Sequence, residues 1–92
     1  MVTREQALRA EKSKTFKECA ILLSSHPEFA GSGTLEGPRG YSVAVYVTAK
    51  REALPKEFLD KIPEQIELTW GPKGSKSLLV PITIHNVGVL AP

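Results

Sequence analysis

Apolar side chains near the start of the chain recur at helical spacing. Leu8, Thr15, Phe16, Cys19, Ala20, Leu22 and Leu23 fall near one stripe of a helix running from Thr3 to about Ser25. Thr3 followed by Gln6 has the form of a capping box, and Pro27 ends the helix by restricting His26 to extended geometry. The apolar content gathers after Thr15, so residues 1–14 are expected to fray or to project from the body. At Gly40 the period changes from helical to twofold. In GYSVAVYVTAK, Tyr41, Val43, Val45 and Val47 occupy one pleat face of a strand, and three β-branched residues there call for a core. The other face carries Ser42, Ala44, Tyr46 and Thr48, a mixture suited to partial burial or to contact with a partner.

The remaining pattern supplies the other elements. Phe29 to Leu35 reads as a short strand interrupted by Gly31 and Gly33, joined to the Tyr41 strand through a turn over residues 36–40. Leu54-Pro55 opens a short helix that presents Leu54, Phe58 and Ile62 inward at four-residue steps and closes at Pro63. Ile66, Leu68 and Trp70 alternate with Glu67 and Thr69 in a third strand. Gly71 to Ser75 is a loop, and a last strand or strand pair covers Leu78 to Leu90, with Pro81 marking an edge or bulge. The predicted fold is one α+β domain over residues 1–92. A mostly antiparallel sheet of about four strands carries a long N-terminal helix and a short second helix on one face. Val43, Val45, Val47, Phe16, Leu22 and Phe58 form its expected core. With both helices on the valine side, the Tyr46 side stays open.

Length and composition narrow the class. Ninety-two residues make one domain, and 41% hydrophobic with 24% charged residues is ordinary globular composition. The single cysteine, Cys19, cannot form an internal disulfide, which suits a reducing compartment. No apolar leader follows Met1 and no run approaches membrane-spanning length, so the cytoplasm is the expected location. A net charge of +2 does not by itself call for a nucleic-acid partner. Nothing in the sequence sets an oligomeric state.

Candidate chemistry is sparse. Gly31-Ser32-Gly33 is too short for a dinucleotide fingerprint and precedes a turn, and the Gly71–Ser77 stretch lacks the Gly-Lys-Ser core of a phosphate loop. Cys19, His26 and His85 have no metal-ligand spacing, and Asp60 with either histidine lacks a nucleophile on a recognisable elbow. The expectation is a protein with no catalytic residues, no metal and no cofactor, whose candidate interaction surface is Ser42, Ala44, Tyr46 and Thr48. A second reading is single-stranded nucleic-acid binding, with Lys50, Arg51, Lys56, Lys61, Lys73 and Lys76 as a basic rim and Trp70 and Tyr46 as stacking platforms. Glu52, Glu57, Asp60, Glu64 and Glu67 are interleaved with those cations and dilute their field.

The run of Gly31-Ser32-Gly33, Val43-Ala44-Val45-Tyr46-Val47, Leu54-Pro55, Ile62-Pro63 and Glu64-Gln65-Ile66-Glu67 resembles a small bacterial α+β domain found upstream of trypsin-like serine peptidase domains. The resemblance covers roughly residues 25–89, with an abbreviated glycine-rich strand and no Asp-Gly turn after Ile62-Pro63. In such proteins the nucleophile and its base belong to the peptidase domain, so no catalytic residue carries over to this chain. What the resemblance implies is an accessory or docking module, free-standing or cut from a longer protein, with a protein as partner.

Overall fold

The computed structural model of the protein describes residues 1–87. Local signals divide the N-terminal stretch into two helices. Thr3 and Gln6 form the capping box, each side chain bonding the other's backbone amide, and open α1, Arg4–Glu11. Ser13 then interrupts. Its hydroxyl donates to the Ala10 carbonyl at 2.6 Å and accepts the Phe16 amide at 3.3 Å, so it closes one helix and caps α2, Lys14–Leu23. Serine competes for backbone bonds in this way more readily than it continues a helix. The long N-terminal helix is therefore two shorter ones.

The break re-aims the stripe. Ala7 and Ala10 are fully buried, so α1 packs on the body and residues 1–14 do not project from it. The Ser32 hydroxyl donates to Glu11 at 3.0 Å and ties α1 to the first strand. On α2, Phe16, Cys19 and Leu23 face inward, whereas Leu22 is 55% exposed and stands outside the core. Phe16, Cys19 and Leu23 recur at steps of three and four, and Leu22 lies a hundred degrees away from Leu23.

Four strands follow: β1 (Phe29–Gly37), β2 (Gly40–Val47), β3 (Gln65–Trp70) and β4 (Lys76–Asn86). The spatial order is β1-β2-β4-β3, with β1·β2 and β3·β4 antiparallel and β2·β4 parallel. The sheet is mixed, two antiparallel ladders around one parallel ladder, within the expected α+β class. The crossover from β2 to β4 carries a 3₁₀ turn at Arg51–Ala53, the short α3 (Lys56–Asp60) and β3 itself. The predicted turn contracts to Pro38-Arg39, since β1 runs to Gly37 and β2 starts at Gly40. Val2 bridges to Gly40 and accepts the Tyr41 amide at 2.9 Å, which fastens the N-terminus beside this hairpin.

Pro81 lies in a central strand without cost. The Val87 amide donates to the Val47 carbonyl, so odd-numbered amides of β4 point toward β2. Pairing with β2 begins only at Val43↔Ile82, one residue after the proline. No ladder bond is missed there. Of the final strand predicted to Leu90, residues 88–90 lie outside the described residues.

The three helices cover one face of the sheet. Val43, Val45, Val47, Ile66 and Val80 meet Ala7, Ala10, Phe16, Cys19, Leu23, Leu54 and Phe58 in one cluster, and all but Cys19 and Leu54 are 2% exposed or less. This is the valine core read from the Gly40–Lys50 stretch.

Candidate interaction surface

Strand register places side chains on the opposite face. Leu35, Gly33 and Gly31 of β1 stand level with Ser42, Ala44 and Tyr46 of β2, and Thr83 and His85 of β4 stand level with Ala44 and Tyr46. One row across the sheet is thus Gly33, Ala44 and Thr83, three small residues. The next is Gly31, Tyr46 and His85. A shelf of small side chains is bounded on one side by two rings, 6.3 Å apart between centroids and tilted by 51°.

The four sequence-derived candidates have different fates. Ala44 is fully buried and Ser42 nearly so, although no helix among the described residues covers them. The Tyr46 ring explains part of this: a β-carbon added at Gly33 would lie 3.3 Å from Tyr46 Cε2 and 3.5 Å from its hydroxyl. The ring folds back over the shelf, and an added β-carbon at Gly33 would press on it. Hydroxyls close the other part. Ser42 Oγ and Thr83 Oγ1 are 3.0 Å apart, and Thr83 Oγ1 is 2.7 Å from His85 Nε2. Thr48 lies past the end of β2, its amide bonded to the Glu28 carbonyl. Ser42 and Ala44 therefore form the floor, and Tyr46 is the half-buried side chain that reaches the surface.

Sequence reasoning missed the contributions of β1 and β4. Leu35 is 39% exposed and Leu79 is 51% exposed, and both belong to this face by strand parity. Thr83 and His85 lie two apart on one strand; the sequence singled out His85 by its residue type, without Thr83 beside it. Their hydroxyl–imidazole contact has the separation of a nucleophile and its base. Among the described residues, no carboxylate bonds to His85 to orient it. Asp60, at the end of α3, bonds to neither histidine.

A second group of polar side chains, around His26, lies on the helix side. His26 stands edge-on to Phe58, 5.3 Å between centroids. Its Nε2 is 2.8 Å from Lys61 Nζ, and its Nδ1 is 4.0 Å from Glu28 Oε2. A lysine ammonium only donates, so Nε2 accepts and Nδ1 carries the proton toward Glu28. That carboxylate oxygen is buried without a hydrogen-bond partner among the described residues. Cys19 Sγ donates to the Lys61 carbonyl at 3.2 Å, and burial pushes its thiol above the ordinary value. His26 and His85 are thus on opposite sides of the sheet. Among the described residues no three metal-ligating side chains converge.

The thiol gives an expected result. Its acid form is favoured in the folded chain, so unfolding releases a proton once pH passes the unfolded value near 9.0. Stability from this group is full below that pH and declines as pH rises through the window up to the raised folded value. Thermal melts should therefore show a steeper alkaline loss for the wild type than for Cys19→Ala. Equal slopes, or rapid labelling of the native thiol by a disulfide reagent at neutral pH, would contradict its burial.

Trp70 and Tyr46 do not form one stacking platform. Trp70 shares a face with Ile66 and Leu68 and lines a groove with Leu8 and Arg9 of α1 and Lys12 at its end, on the helix side. Tyr46 is on the other side. No helix among the described residues is long and apolar enough to cross a membrane. No family model matches the chain, and comparison with curated proteins and with solved structures finds no match to either.

Proposed function

We propose that this chain is a non-catalytic protein-interaction module that presents the helix-free face of its sheet to a partner protein. One observation carries the reading: all three helices lie against the valine face, while the other face holds a half-buried tyrosine at one end and exposed Leu35 and Leu79 toward the Ser42 end. An antiparallel or mixed sheet tolerates a solvated face, but large apolar side chains left on one favour a cover. Tyrosine suits such a role because it contributes apolar area and a hydroxyl at low entropic cost. The resemblance noted in the sequence makes a peptidase domain one partner of the right kind, with docking rather than chemistry as this chain's part. The cytoplasm is the compartment in which the lone free thiol would persist.

Nucleic-acid binding is the second reading, and Lys50 and Arg51 at the end of β2 are its remaining support. The two readings respond oppositely to salt. Capture by an apolar sheet face should change little between about 50 and 300 mM salt, whereas phosphate contacts would lose affinity by orders of magnitude. Leu79→Glu alters an exposed side chain and should leave the melting temperature nearly unchanged while abolishing capture of the partner. Tyr46→Glu should also abolish it, with some loss of stability because the ring shields Gly33. Full capture by both folded variants would overturn the reading.

A further inference from the structure

We propose that the groove between α1 and the Trp70 end of β3 binds an acidic peptide segment through an apolar anchor side chain. Two sequence patterns meet there. Glu5, Leu8, Arg9 and Lys12 recur at steps of three and four, so they share one face of α1, with Lys12 as its C-cap. On the sheet, the helix-side row of β3 and β4 runs outward from the core. It passes from buried Ile66 and Val80 through half-buried Leu68 and Leu78 to Trp70 and Lys76. Where the patterns meet is a groove of about 430 Å³, with Leu8, Leu68 and Trp70 as its apolar lining and Arg9 and Lys12 as its cations. Leu8 is 38% exposed, so the lining is open to solvent.

Charge selects the occupant. Lys76 stands opposite Trp70 in the strand register and therefore shares its face, which adds a third cation from a second element. Arg9, Lys12 and Lys76 are all exposed, and among the described residues none of them forms an ion pair. Glu5 is the one carboxylate in the lining. Three unpaired cations around an apolar floor complement a ligand that carries several negative charges and a greasy side chain. A nucleic acid has the charge but not the second property. Its base edges would lie against Leu8 and Leu68 without hydrogen-bond partners, and of the two hydroxyl residues in the lining Ser13 already bonds Ala10 and Phe16. One tryptophan also offers a stacking surface to a single base only. A phenylalanine or leucine flanked by aspartates or glutamates leaves no polar group unmet there.

The groove lies across the sheet from Tyr46, so it stands or falls separately from the proposed function: Leu79→Glu should leave it unchanged. Trp70 is the only tryptophan of the chain, so intrinsic fluorescence reads the groove directly. The probe is a capped synthetic peptide with one phenylalanine between two pairs of glutamates. Its titration should shift the Trp70 emission saturably, with a dissociation constant of about 0.1–1 mM at low salt. Replacing its phenylalanine by serine should weaken binding about tenfold or more, and replacing its glutamates by lysines should abolish it. Oligothymidylate of the same charge should bind more weakly than the peptide. Arg9→Glu with Lys12→Glu should lose the acidic peptide and gain the lysine peptide, a reversal that a merely structural change would not produce. If that variant fails to fold, the comparison of peptides on the wild type decides. No emission change at about 5 mM peptide, an equal response to the lysine peptide, or tighter binding of oligothymidylate overturns the proposal.

Discussion

Phe58→Ala should cost about 3–5 kcal/mol, a large share of the stability of a domain this small. Phe58 is fully buried in α3, and that helix has only five residues, Lys56–Asp60, too few to hold itself together by its own hydrogen bonds. Its position rests on packing. Removing the ring deletes the contacts with the valine core and the edge-to-face contact with His26 at 5.3 Å. The His26–Lys61 bond should loosen with it, since Lys61 caps the same helix. Chemical denaturation of wild type and variant gives the loss directly. A cost under about 1 kcal/mol would mean that α3 is not a cornerstone of the core.

Gly40→Ala should be the second most damaging single change. Gly40 has φ of +108°, which costs any side-chain-bearing residue strain. A β-carbon there would also lie 2.8 Å from the Val2 carbonyl oxygen and 2.9 Å from the Val2 nitrogen. Those are backbone atoms in a bridge, with no flexible side chain to give way. Strain and displacement together are expected to cost about 2–4 kcal/mol and to release the N-terminal residues from the hairpin. The Tyr41 amide, bonded to Val2 at 2.9 Å, should lose its hydrogen-exchange protection. Gly31→Ala is the control: φ is +148°, yet nothing lies within 4 Å of the added carbon, so strain alone is incurred. Equal effects at the two positions would contradict the close approach of Val2.

The elements that could be read from the sequence are those whose signal is local. Val43, Val45 and Val47 alternate without interruption, and their face is buried as the pattern requires. The Thr3–Gln6 box states its own helix start. Leu22 falls outside the core because Phe16, Cys19 and Leu23 define the buried stripe of α2 and Leu22 stands at its flank, and the single long helix divides because Ser13 caps a new one. Serine inside a periodic run reads as an ordinary surface residue until its partners, Ala10 and Phe16, are known. The parallel β2·β4 ladder was hidden for another reason. It joins residues 43–47 to 82–86, and no turn signal reports a pairing that distant. The candidate surface followed the same division. Tyr46 was visible from its own strand, whereas Leu35, Leu79, Thr83 and His85 join it only through cross-strand register.

That surface can be interrogated position by position. A photo-crosslinking phenylalanine analogue placed at Tyr46 or at Leu79 reports from the helix-free face, and one at Lys17, exposed on α2, reports from the helix side. Irradiation in the source cell's extract, at two salt concentrations, should give the same protein adduct from positions 46 and 79 and none from position 17. Adducts from position 17 alone, or none from 46 and 79 with the chain folded, would contradict the claim that the Tyr46 face is the one that binds.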